Sequence, residues 1–299
     1  MKKSKPPLPA VWTYARGINL VDFRLAVADC IGVMRDHVTE GSVDCVFADP
    51  PFNIGQDYDP RDRKADRKPW DEYAEFTDAW IAAAVGLLRP GGAMFVHCAD
   101  HFADLVSLRL KMAGLVRINW IIWHYRFGQY GETAFINSKA HLHYFIKPEG
   151  RGAKEKRTWN VQEMLEPSQR LLDGDKRVQQ AKYGGHRPFF DVWYGDGLCR
   201  VQGNNDERTK HPNQLPELYL ARVIRCATNP GDLIFDSFLG SGTTSTVAIA
   251  LGRNCYGCEL VPEVAETAWK RTLAGPKRDV KGSLVSASSL PRDDEIRDV

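Results

Sequence analysis

The chain has 299 residues, with 40 Lys and Arg against 38 Asp and Glu and a 43% hydrophobic fraction. That is enough apolar material to bury a large globular core, and it excludes collagen-like, largely disordered and small disulfide-stapled chains. A formal net charge of +2 does not by itself announce a nucleic-acid binder.

In chain order, residues 1–19 read as an N-terminal tail that opens with Lys and Pro and lacks the apolar core of a signal peptide. Phe23 to Cys30 reads as a buried strand, and the apolar run VDCVFAD stops at a double proline, where a central strand must end. Gln56 to Asp71 is polar and reads as an exposed loop. Glu72 to Leu88 has helical periodicity and meets a stop signal at Pro90-Gly91-Gly92. AMFVHC is a strand, His101 to Gly114 a helix, and RINWIIWHY and HLHYFIKP two more strands. Strand alternating with helix predicts a largely parallel α/β sheet. Residues 150–191 break the pattern: they are irregular and polar, with nine Lys/Arg against six Asp/Glu and with Trp159, Tyr183, Phe189 and Phe190 interleaved. The α/β pattern then resumes with a helix over Leu215 to Thr228, the strand LIFDSF, a helix over Thr243 to Leu251, the strand CYGCEL and a helix from Pro262. From Gly275 the tail is polar and charge-balanced, and is expected to be disordered.

Seven scattered cysteines cannot form a complete disulfide framework, which favours a reducing compartment. Cys255 and Cys258 form a CxxC without a second ligand pair, so a core role is expected and no metal site. His141 and His143 alternate on a strand and are likewise read as structural. No apolar run approaches a membrane span.

Two motifs carry chemistry. In Asp236-Ser237-Phe238-Leu239-Gly240-Ser241-Gly242-Thr243-Thr244 a strand runs into a glycine turn and a helix. Such a turn permits close backbone approach, and the helix N-terminus offers N–H groups to a ligand. Glu259 ends the next strand about 20 residues on, where an acid suits ribose hydroxyls. No Lys follows the second glycine, so the turn is not a P-loop. The second motif is Asp49-Pro50-Pro51-Phe52. The prolines stiffen the backbone so that the Asp49 carboxylate and the Pro50 carbonyl can accept from the two N–H groups of an amino-substituted ring, with Phe52 beside it as a stacking face.

These residues resemble the S-adenosylmethionine-dependent DNA amino-methyltransferases, whose catalytic motif is an Asp, Asn or Ser followed by two Pro and an aromatic. Asp236 to Thr244 resembles their cofactor loop, and His-Pro-Asn-Gln-Leu-Pro at 211–216 the segment against the methionine end of the cofactor. The catalytic motif comes first here, with a basic insertion between the two, which resembles the permuted beta class of bacterial and phage enzymes. Two departures stand out: Ser237 replaces a frequent Pro, and Leu215 a frequent Lys.

The resemblance implies a Rossmann-like α/β fold, a seven-stranded sheet with one antiparallel strand, helices on both faces and a circularly permuted motif order. It divides the chain into a catalytic half (20–149), a target-recognition insertion (150–195), a cofactor-binding half (196–274) and a disordered tail (275–299). It implies S-adenosylmethionine as cofactor, held by Asp29, Cys30, Asp49, Asn213, Gln214, Asp236, Phe238, Gly240, Ser241, Gly242, Thr243, Thr244, Glu259 and Leu260. Catalysis falls to Asp49, Pro50, Pro51 and Phe52. Double-stranded DNA would be met by Arg61, Arg63, Lys64, Arg67 and Lys68 of the loop after the catalytic motif, and by Arg177, Lys182 and Arg187 of the insertion. The expected reaction is methylation of the N6 amine of a flipped-out adenine, by a cytoplasmic monomer or homodimer. Whether a cognate restriction endonuclease accompanies it stays open. Asp at the head of the motif favours adenine over the N4 amine of cytosine, and the motif order argues against RNA and protein-glutamine methyltransferases. A non-catalytic DNA-binding subunit is the remaining alternative.

Overall fold

The computed structural model describes residues 10–16, 21–56, 66–126, 128, 132–150, 157–195, 197–209, 211–282 and 284. Strand β1 (Ala10–Arg16) and β2 (Val21–Val27) are followed by α1 (Cys30–Asp36), β3 (Val43–Ala48), α2 (Trp70–Leu87), β4 (Leu88–Cys98), α3 (Ala103–Met112), β5 (Val116–His124) and β6 (Lys139–Ile146). Then come β7 (Leu165–Pro167), the single turn α4 (Gln169–Leu172), β8 (His186–Pro188) and β9 (Val192–Trp193). The chain returns to the sheet with α5 (Glu217–Ala227), β10 (Leu233–Asp236), α6 (Thr243–Ala250), β11 (Asn254–Glu259) and α7 (Pro262–Ala274).

One sheet runs β1-β2-β11-β10-β3-β4-β6-β5-β9, and β7 pairs with β8 in a separate ribbon. The expected seven strands form its centre, from β2 to β5. Within those seven, β6 is the antiparallel member, paired to β4 and β5. Two edge strands extend the expectation. Ala10–Arg16 lies in the span read as a tail, yet it pairs antiparallel along the whole of β2. Val192 and Trp193 pair parallel to β5 and close the other edge.

Period-2 alternation sorts the core into two layers. Cys45 and Phe47 of β3 face the side covered by α5, α6 and α7, through Leu220, Ile224, Val247 and Ala268. Val46 and Ala48 face the side covered by α1, α2 and α3, through Met34, Trp80, Ile81 and Val106. Cys255 and Cys258 of β11 divide the same way, one to each layer. Both are buried free thiols.

Several boundaries differ from the sequence reading. The first buried strand ends at Val27, because Asp29 caps α1 by accepting the Gly32 amide at 3.1 Å. The Pro-Gly-Gly after α2 does not separate elements. It lies inside β4, where Gly91 (φ 76) donates to the Lys147 carbonyl at 2.8 Å and the register to β3 shifts. The chain also continues its packing past Gly275. The amides of Lys277 and Arg278 donate to the fully buried Glu217 carboxylate at 2.7 and 2.8 Å, and Val280 and Leu284 are buried. The disordered tail therefore cannot begin at 275. Residues 285–299 lie outside the described ones.

Candidate active site

Three neighbouring parallel strands deliver three acids to one edge of the sheet: Glu259 ends β11, Asp236 ends β10, and Asp49 follows β3 by one residue. Ligands of open α/β sheets bind at this carboxyl edge. Here it opens into a cavity of about 430 Å³. Asp29 and Cys30 at the start of α1, Asp49 and Pro51, Asn213, Asp236, Phe238, Gly240, Ser241, Thr243, Thr244, Glu259 and Leu260 all line it. The residues singled out from both motifs thus meet around one space.

The glycine turn is held from several sides. Asp236 accepts the Phe238 amide at 2.9 Å and a bond from the Thr244 hydroxyl. Glu259 accepts the Gly240 amide on one oxygen at 3.0 Å and the Val261 amide on the other at 2.8 Å, which ties the turn to the end of β11. Gly240 has φ 51, and a Cβ there would stand 3.2 Å from the His211 ring. Gly242 has φ 76, and a Cβ there would reach within 2.9 Å of Ala268. Its role is to let α6 pack closely on α7, and it does not line the cavity, contrary to the expectation of a cofactor contact.

The Asp49–Phe52 tetrad leaves the sheet through a clasp. Pro50 is buried, and the Pro51 carbonyl accepts the Tyr73 hydroxyl at 2.9 Å. Asn53 takes a left-handed conformation, φ 55. Its side chain accepts the Lys68 amide at 2.6 Å and donates to the Lys68 carbonyl at 2.9 Å. Asp66 is 2% exposed and accepts the amides of Asn53, Ile54 and Gln56 at 2.7, 3.2 and 2.8 Å. Phe52 lies against the buried His97, ring centroids 5.7 Å apart, and His97 Nδ1 is 2.9 Å from the Tyr219 hydroxyl.

Burial pushes the Asp49 carboxyl well above the usual carboxylate range, and the neighbouring Asp236 charge adds to the effect. Asp236 is pushed up to about 7, by burial first and by Glu259 as well, against the lowering bonds from Thr244 and the Phe238 amide. His97 is pushed down to about 3 by burial, so its ring is neutral at pH 7.

Other sequence-predicted residues stand elsewhere. Gln214 turns inward, donating to the Glu207 carbonyl at 2.6 Å and accepting the Thr209 amide at 2.8 Å; it supports the loop and does not face the cavity. Arg187 pairs with Glu166 at 2.6 Å and covers the Phe190 ring, so its charge is spent within the insertion. Arg177 is exposed and bound to Asp175, Lys182 sits over the Tyr183 ring, and Arg67 is exposed. Arg61, Arg63 and Lys64 lie outside the described residues. His141 and His143 are tied into the sheet, His141 to Trp120 and Asp100 and His143 to the Ala103 carbonyl. Among the described residues no cluster of His, Cys, Asp or Glu is fit for a metal ion, and no helix is long and apolar enough to cross a membrane.

Sequence reasoning missed Asn53, Asp66, Tyr73 and Phe76 as cavity residues, while His211 lies in the segment it placed beside the cofactor. Tyr73 and Phe76 had a signal, the i, i+3 spacing of one helix face. Asp66 had none, since nothing local marks it among the charges of its loop.

A family model for DNA methylases of the N6 and N4 type matches residues 43–270. The chain belongs to this family. Among its relatives, the type II methyltransferase M.BamHI of Bacillus amyloliquefaciens is 31% identical over 245 residues, covering 79% of this chain and 54% of that protein. The DNA adenine methyltransferase YhdJ of Escherichia coli (strain K12) is 28% identical over 267 residues, covering 83% and 86%. The chain thus spans about half of the first relative and most of the second. Among solved structures, the M1.HpyAVI–SAM complex superposes with a TM-score of 0.55 at 22% identity, covering 83% of this chain and 99% of that one. The cytosine-N4-specific PvuII DNA methyltransferase superposes at 0.64 with 16% identity, covering 88% of each. These structural likenesses are of fold, and the central sheet with helices on both faces is common to them.

Proposed function

We propose that this methylase transfers a methyl group from S-adenosylmethionine to the exocyclic N6 amine of an adenine flipped out of double-stranded DNA. The observation that carries the reading is the convergence of Asp49 with the glycine turn and Glu259 around one cavity. The residues present fit the cofactor. Asp49 and Asp236 are held toward their neutral forms by burial first, with the Asp236 charge adding to it at Asp49 and the Glu259 charge at Asp236, and a cationic ligand offsets these effects. Glu259, at the end of β11, would accept from ribose hydroxyls, Asp29, Cys30 and Leu260 would lie toward the adenine, and Asn213 and Gly240 toward the amino-acid end. When bound, the cofactor supplies an electrophilic methyl on sulfur.

The chain's own residues do the rest by position and charge. The amine of adenine is a weak nucleophile because its lone pair is delocalised into the ring. The Asp49 carboxylate and the Pro50 carbonyl accept hydrogen bonds from its two N–H groups, favour a more tetrahedral nitrogen and so free the lone pair; transfer of the methyl would release the cofactor as its thioether, and one amine proton is lost to water. Phe52, backed by His97, offers the face on which the flipped base stacks. No side chain needs to become covalently bonded to the base.

In this reading the chain is a permuted catalytic domain, 20–149 and 196–274, interrupted by a recognition insertion at 150–195. Arg177, Lys182 and Arg67 are its described DNA-facing cations, and it acts in the cytoplasm as a monomer or homodimer, with a cognate endonuclease as a candidate partner. The test is incubation of DNA with methyl-labelled cofactor followed by nucleoside analysis. N6-methyladenine is expected. Label in N4-methylcytosine would move the substrate to cytosine, and no incorporation would leave a DNA-binding subunit.

A further inference from the structure

The described cavity lining contains five carboxylates, those of Asp29, Asp49, Asp66, Asp236 and Glu259, and one Lys or Arg, which is Lys68. Lys68 was expected among the residues that meet DNA phosphates. Its backbone is instead locked to the exit of the catalytic tetrad by both ends of the Asn53 amide. Its side chain is half-buried, and among the described residues no carboxylate lies in ion-pair range of it.

Two amides of the glycine turn and the guanidinium behind it are already engaged. The Gly240 amide donates to Glu259 and the Gly242 amide to the Leu239 carbonyl at 2.9 Å. Arg271, behind the turn, donates to Ser241, to Thr243 at 2.8 Å and to Glu217 at 3.0 Å. A cofactor that carries an amino-acid end brings a carboxylate into a space crowded with carboxylates. That group needs a cation, and a charge-assisted hydrogen bond in a partly dry site is among the stronger polar contacts.

Resting on the reading of this cavity as the S-adenosylmethionine site, we propose that the Lys68 ammonium is the cationic partner of the cofactor's α-carboxylate. Lys68 is then a specificity-determining residue that selects the intact amino-acid end, and Asp66 and Asn53 hold it at the cavity wall.

The test is calorimetric binding of S-adenosylmethionine and of its decarboxylated form to the full chain, with Lys68→Gln and Lys68→Arg. The wild type is expected to prefer the intact cofactor by about tenfold or more, and Lys68→Gln to weaken the intact cofactor by about 10- to 100-fold while leaving the decarboxylated form within about twofold. Lys68→Arg should restore most of the preference, and DNA affinity should stay within about twofold in both variants. Equal weakening of both cofactors, or none, overturns the role of Lys68 alone, the carboxylate then resting on the start of α6. Weakened DNA binding with a shallower salt dependence and intact cofactor preference returns Lys68 to the phosphates. A wild type that binds neither cofactor overturns the cavity reading itself.

Discussion

Asp49 and Asp236 stand at the ends of two adjacent parallel strands, and the charge of Asp236 adds to burial in raising the Asp49 carboxyl. Each is costly to ionise in the empty protein. A ligand with a positive charge between them changes that, so binding and ionisation are linked at this edge of the sheet.

The linkage has a sign. The ordinary value for Asp236 is 3.8 and its folded value about 7. Between these limits the folded chain holds a proton that the unfolded chain has lost, so the stability of the empty protein falls as pH rises through this window. A cationic cofactor favours the ionised pair, and its stabilising effect should grow over the same window. Melting-temperature shifts measured from pH 5 to pH 7 should increase for S-adenosylmethionine and stay flatter for S-adenosylhomocysteine, which lacks the sulfonium charge. Equal pH dependence for the two ligands would contradict the account.

Asp66 is predicted to act on the reaction through the tetrad. Asp66→Ala leaves the amides of Asn53, Ile54 and Gln56 without their acceptor. The turn after Phe52 should loosen, and kcat should fall about 10- to 100-fold. Asp66→Asn keeps one oxygen acceptor and should lose less. Steady-state kinetics of the two variants, with melting curves beside them, check the order.

Gly242→Ala should lower stability by about 2–4 kcal/mol, from the left-handed backbone together with the contact on Ala268. Urea denaturation measures it. Gly41, also at positive φ, has no atom within 4 Å of an added Cβ, and Gly41→Ala should cost only the backbone term, about 1–2 kcal/mol.

The stretch after α7 is predicted to be part of the folded domain. Ending the chain at Ala274 would remove two amide donors from the fully buried Glu217 and uncover the sites of Val280 and Leu284. A loss of about 3 kcal/mol or more is expected by denaturation. No change would mean that these contacts add nothing to stability.

What could be read in the sequence was what local pattern encodes. Phe47 and Phe235 announce buried strands through their apolar runs, and Gly240 and Gly242 announce a turn because few other residues accept their backbone angles. Local pattern gives where each strand stops and so puts Asp49, Asp236 and Glu259 at strand ends, but that the three strands are neighbours is fixed by the sheet order. Beyond reach were effects fixed by distant partners. Gln214 reads like any polar residue of a ligand loop, and only the position of Glu207 turns it inward. Arg187 reads as a DNA contact until Glu166 is found beside it. Ala10–Arg16 becomes a strand through pairing with β2, which its lysine- and proline-rich approach does not signal.

The central claim is that Asp49 receives the target amine, and Asp49→Ala tests it most directly. Cofactor affinity and methyl transfer to DNA are measured on the same preparation. The account predicts binding of S-adenosylmethionine within about tenfold of wild type, and methyl transfer reduced by about a thousandfold or more. Methylation of DNA by Asp49→Ala at the wild-type rate would contradict it.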